Sequence, residues 1–184
     1  MNSYLFKITA HYEQVWRAQG SKRYWTKGPV DELPPGFHIL EFPPHDDREM
    51  WTYATCGMSQ PGETRPIEIH MFSEIQHIDN IELLTVLAHY YHSGTILRFG
   101  HALNFGKPWI EGSLCTRGML SLPYLDGEEL ELLDLKTSIV QFLWLIPITE
   151  GELDYKKQFG LDQTEKLFEE KELDFANPFR DSLI

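Results

Sequence analysis

One stretch constrains the fold of this 184-residue chain more than any other: IVQFLWLIPI, residues 139–148. Side chains alternate between the two faces of a strand. Val140, Phe142, Trp144 and Ile146 share one face, and Ile139, Leu143 and Leu145 share the other, so apolar groups stand on both. That pattern predicts a buried central strand. The run is far short of the ~20 residues that cross a bilayer. It continues into TEGEL, where Thr149 and Glu152 make a capping-box pattern, so a helix is expected to start at once.

The other elements are read around this strand. Residues 3–20 place Leu5, Ile8, Tyr12 and Val15/Trp16 at helical spacing, with Gly20 as the stop. FHILEF (37–42), MWTYATCGM (50–58) and IEIHMF (67–72) read as strands. In the third, Ile67, Ile69 and Met71 share one face and Glu68, His70 and Phe72 the other. Residues 80–92 read as a helix, with Asp79 and Glu82 as a capping box and Gly94 as the stop. A loop is expected over 94–116, then a strand running into a turn over 118–125. Asp162 and Glu165 predict a capped last helix, separated from its predecessor by Gly160. Strands cluster in the middle, with helices at both ends and once between. The expected fold is α+β: a mixed, mostly antiparallel sheet with helices packed on its faces, an α-β-α sandwich, in one domain over 1–184.

Charge narrows the partners. The net charge is −12, yet residues 1–30 hold five bases and one acid, so the rest carries −16. Such a surface repels phosphate backbones, so nucleic acid is not an expected partner, whereas a basic protein is. DGEELELLD (126–134) concentrates the acids, and Asp126, Glu128, Glu129 and Glu131 are the candidate partner contacts. The same stretch also reads as a solvated turn with a short helix or strand. The start, MNSYLFKITAHYEQVW, shows no secretory leader, and Cys56 and Cys115 have no metal-type spacing. A cytoplasmic protein with no membrane association is expected.

The most chemically suggestive stretch is LTVLAHYYHSGTILRFGHALNFGKPW (84–109), which holds His89, His92 and His101. On a helical wheel Ile81, Leu83, Leu84, Leu87, Ala88, Tyr90 and Tyr91 form one half, while Glu82, Thr85 and His89 lie opposite. His89 and His92 are three apart and can be surface neighbours, with Glu82 or His101 as a third metal ligand. However, H-E-x-x-H is absent. GHALNFGK has five residues between its glycines and Pro108 after Lys107, so it departs from a phosphate loop. The loop reading anchors Phe105 and Trp109 in the core. Cys115 lacks a nucleophile signature, and Trp51, Tyr53, Trp109 and Trp144 fit core strands as readily as a ligand pocket.

Taken together, MWTYATCGMSQ (50–60), IEIHMFS (67–73), ELLTVLAHYYHSG (82–94), FGHALNFGKPW (99–109), LSLPYL (120–125) and VQFLWLIPITEGELDYKKQFG (140–160) resemble a suppressor-of-fused domain. The resemblance covers about residues 40–160. It implies a protein-binding role. Eukaryotic members hold a transcription-factor peptide between two domains. This chain is similar to their first domain alone, and its QPGETR connection (60–65) is short where they carry a long glycine-rich insertion. No binding residue is therefore carried over from them. The compact form resembles bacterial members, which are associated with polymorphic toxin systems as immunity proteins.

The resulting expectation is a non-enzymatic, cytoplasmic immunity protein. It would occlude a basic toxin domain as a monomer or weak homodimer, without a cofactor. The alternatives are a metal-dependent enzyme using His89, His92 and Glu82, and a regulatory scaffold that binds a peptide strand at a sheet edge.

Overall fold

The computed structural model describes residues 3–184. Its strands are β1 (Ser21–Arg23), β2 (His38–Phe42), β3 (Trp51–Cys56), β4 (Ile67–Ser73), β5 (Ala102–Asn104), β6 (Cys115–Ser121), β7 (Leu132–Asp134) and β8 (Ile139–Thr149). The helices are α1 (Ser3–Trp16), α2 (Ile78–His92), α3 (Glu128–Glu131), α4 (Glu150–Phe159) and α5 (Leu161–Glu170). The strands form one sheet in the order β1-β2-β3-β4-β8-β6-β5, with β7 beside β8. Only β4 and β8 run parallel; the other neighbours are antiparallel.

The apolar run is the centre of this sheet, as its two-faced pattern predicts. β4 takes one edge of β8 over Gln141–Trp144. β7 takes the start of the opposite edge and β6 the rest, up to Thr149. Leu143 and Leu145 project into the cluster beneath α2, with Ile69, Met71, Leu84 and Leu87. Val140 and Phe142 project to the other face, against Ile8, Tyr12 and Trp16 of α1. Further along that face Trp144, Ile146 and Ile148 meet Phe168 of α5 and Ala176. Helices thus cover both faces, which is the expected α-β-α sandwich with a mostly antiparallel sheet.

Several local readings change. α1 ends at Trp16, because Arg17 adopts a left-handed φ of 51°. Gly20 instead lies where a Cβ would stand 2.7 Å from the Phe42 ring. The cap of α2 is His77, whose ring accepts from Asp79 N, rather than Asp79 itself. Thr149 and Glu152 do form the full capping box of α4. Asp162 caps nothing: α5 starts after Gly160 without a side-chain cap, and Glu165 bonds Ser121 instead. The 94–116 segment contains β5 and the start of β6. A three-residue strand with one inward side chain, Leu103, is too short to show a period.

Candidate functional site

The acidic stretch is built on an inward leucine. Gly127, at φ 72°, turns the chain into α3, and Leu130 plugs fully buried into the cluster under α1. The ring of His11 on α1 stands 3.1 Å from the Leu130 carbonyl and helps pin the turn. With Leu130 inside, Glu128 and Glu129 are exposed and Glu131 is half-buried. No Lys or Arg among the described residues pairs with any of the three. Four exposed apolar side chains flank them: Tyr124, Leu125, Leu132 and Ile139.

Asp126 differs from its three neighbours. Its side chain is only 3% exposed and is ion-paired with Arg48. That guanidinium also lies over the rings of Trp16, at 5.6 Å, and Phe72, at 4.8 Å. Burial raises the Asp126 carboxyl while Arg48 lowers it, and burial prevails. Asp126 therefore staples the turn to the 43–50 loop, and its charge does not reach the surface.

The histidine stretch is resolved into separate contacts. Glu82 is bound by Lys107 at 2.6 Å. His89 lies 3.6 Å from Glu32. His92 is 2.9 Å from the Met58 carbonyl, and His101 sits between Arg98 and the Ile96 carbonyl. Among the described residues no three His, Cys, Asp or Glu side chains converge as metal ligands would. Thr85, placed on the polar half of the wheel, is buried and bonds Ile81 O, whereas Tyr90, placed on the apolar half, is exposed. Phe105 and Trp109 do reach the core, and Trp109 donates to Asn80 Oδ1 at 2.7 Å. Burial pushes the Cys115 thiol up, so it is not poised as a thiolate.

Sequence reasoning missed the buried titratable groups. Glu68 is fully buried on β4 without a cation. Its carboxylate accepts from Thr55 Oγ1, Gly57 N, Ser59 N and Ser59 Oγ. Burial dominates these bonds and pushes it up to about 7. His70, two residues on, is also fully buried, with neither ring nitrogen bonded; burial, aided by Arg48, lowers it to about 3. Glu152 is bound by both Arg180 nitrogens at 2.7 Å. Burial raises its carboxyl, but Arg180 and the Thr149 amide more than offset that and leave it lowered. The signal that could have found Glu68 and His70 is Phe72, a large apolar side chain on their own face of β4, which the fold covers as fully as the face of Ile67, Ile69 and Met71.

Comparison with known proteins gives a consistent answer. The family model for Suppressor of fused protein (SUFU) matches residues 34–181. The fold is similar to the crystal structure of a SUFU homolog from Neisseria gonorrhoeae, with a TM-score of 0.85 and 29% identity over 98% of this chain and 97% of that one. It also matches Drosophila Suppressor of Fused, at a TM-score of 0.69 and 16% identity, covering 98% of this chain and 51% of that one. Immunity protein YqcF of Bacillus subtilis is 37% identical over 62 residues. That match spans 34% of this chain and 32% of the relative.

Proposed function

The chain belongs to the suppressor of fused family, and from that premise we propose that it is a non-enzymatic protein-binding module, an immunity protein that neutralises a toxin by stoichiometric occlusion. The observation that carries the reading is the outward row Glu128, Glu129 and Glu131, unpaired by any cation among the described residues and flanked by exposed Tyr124, Leu125 and Leu132. Charge of this kind speeds encounter with a basic surface, and a few aromatic and aliphatic side chains then supply most of the affinity. The partial match to Immunity protein YqcF supports the same class of role. Asp126 serves by holding the row in place through Arg48. The protein acts in the cytoplasm of the cell that makes the toxin, and no helix among the described residues is long and apolar enough to cross a membrane.

The test is co-expression with any toxin domain encoded beside its gene. A one-to-one complex by light scattering, and rescue of growth, are the expected results. Replacing Glu128, Glu129 and Glu131 with lysine should abolish rescue while the variant still folds. Absence of any complex with that domain, or full rescue by the triple variant, would sink the reading.

A further inference from the structure

A groove of about 840 Å³ runs between the turn after β6 and helix α5. Its floor is apolar: Trp144 and Ile146 of β8 and Phe168 of α5, with Leu173 and Phe175 beyond. Its mouth carries Tyr124 and Leu125, which are 58% and 48% exposed. Exposed side chains of that size are not needed to complete the core.

The rim is acidic. Asp162, Glu165, Glu169 and Glu172 line it, and Lys166 is the one cation there. Lys166 is itself engaged by Glu170 at 3.6 Å. The acids of α5 recur at three and four residues, so they share the stripe that faces the groove. Glu165 spans the gap: its carboxylate accepts from Ser121 Oγ at 2.8 Å and Tyr124 OH at 3.4 Å on the opposite wall. The two walls are thus tied together before anything enters, which lowers the ordering cost of binding. Tyr124 is raised first by burial and then by Glu165, Glu131 and Asp162, which places α3 and α5 in one negative field.

We propose that this groove seats a short cationic amphipathic segment of a protein partner, its apolar side chains on Trp144, Ile146 and Phe168 and its lysines or arginines against Asp162, Glu165 and Glu169. The rim repels phosphates and anionic headgroups. The floor gives a purely polar ligand nothing to bind. A second copy of this chain brings a net charge of −12 to an acidic site. The proposal rests on the protein-binding reading above for the kind of partner; Glu128 and Glu129 do not line the groove, while Tyr124 and Leu125 at its mouth also flank them.

The probe is a 14-residue peptide of leucine and lysine at helical spacing, with a leucine and glutamate counterpart, titrated into the whole protein and read by amide chemical shifts and fluorescence anisotropy. The lysine peptide should bind with shifts centred on Tyr124, Leu125, Trp144 and Phe168; the glutamate peptide should not bind. A Tyr124→Ser/Leu125→Ser variant keeps the net charge and alters only exposed side chains. It should bind at least fivefold more weakly with unchanged thermal melting. No binding, equal binding by that variant, shifts centred elsewhere, or peptide-free self-association through the groove would each overturn the proposal. The peptide test uses no toxin, so its success is independent of the immunity reading. Toxin rescue that is lost with lysine at Glu128, Glu129 and Glu131, together with no binding of the lysine peptide, would leave that reading standing and remove this one.

Discussion

Glu68 and His70 occupy the same face of β4 and pull the stability of the protein in opposite directions as pH changes. The Glu68 carboxyl rises from 4.5 to about 7, so between those values the folded chain keeps a proton that the unfolded chain has lost. Its contribution is full below 4.5 and falls as pH rises through 7. His70 drops from 6.5 to about 3, so the unfolded chain takes up a proton that the folded chain refuses. Its contribution is full above 6.5 and is lost as pH falls towards 3. Between 4.5 and 6.5 the two slopes oppose each other, each at most ~1.4 kcal/mol per pH unit. We expect wild type to gain roughly 2–4 kcal/mol on a Glu68→Gln variant between pH 7.5 and 4.5, measured as the difference in urea unfolding free energy. A constant difference would show that Glu68 is ionised in the fold. Asp126 and Glu128 make a second contrast at this scale. Asp126→Asn leaves Arg48 buried without its charge partner and should cost about 3 kcal/mol. Glu128→Gln, on an exposed side chain, should stay within ~0.5 kcal/mol. Nothing in DGEELELLD separates these acids, because the Arg48 that claims Asp126 lies 78 positions away in sequence.

Elements were legible wherever their signal was local. The run over β8 fixed a central strand, and Thr149 with Glu152 fixed the start of α4, because pleat and cap both act within a few residues. β5 and β1 were not legible: three residues cannot display a period, and both depend on a distant neighbour for their hydrogen bonds. The Asp162 pattern misled for a related reason, since Glu165 is drawn across to Ser121 by tertiary packing. The C-terminal segment shows how far such long-range ties matter. Arg180 bonds both oxygens of Glu152 and also Pro147 O, so it fastens residues after α5 to the junction of β8 and α4. Arg180→Met would leave Glu152, with no exposed surface, as an unpaired buried charge. We expect a loss of about 3–5 kcal/mol at pH 7 by urea unfolding, with much of it recovered in the double variant Glu152→Leu/Arg180→Met. The lowered Glu152 carboxyl also makes this tie one that is present above 4.5 and lost as pH falls below that. A single variant as stable as wild type would show that the tail is not held by this pair.

At the scale of the whole molecule, the sequence disclosed the sign of the surface but not its position. Residues 31–184 carry −16, yet several of those acids are internal: Glu41, Glu68, Asp126 and Glu152 are turned inward by the fold. Among those that remain outward, Glu128 and Glu129 lie on α3 and Asp162, Glu169 and Glu170 on α5, two elements far apart in sequence whose acids both act on Tyr124, while others such as Asp46, Asp47, Glu111 and Asp154 are spread over the rest of the surface. A field of this kind acts on encounter more than on the lifetime of a complex. Its range is about 8 Å at physiological ionic strength and shrinks to ~3 Å at 1 M salt. Association with a basic protein partner should therefore slow by an order of magnitude or more between low salt and 1 M, with a dissociation rate that changes little. Lysine at Glu128, Glu129 and Glu131 reverses three charges and should flatten the salt dependence of association, whereas Tyr124→Ser/Leu125→Ser keeps that dependence and speeds dissociation. Stopped-flow mixing over a salt series separates the two rates directly. If the triple variant retained the wild-type slope, the steering charge would lie elsewhere on the molecule, and α3 would be a solvated turn, as its sequence also allows.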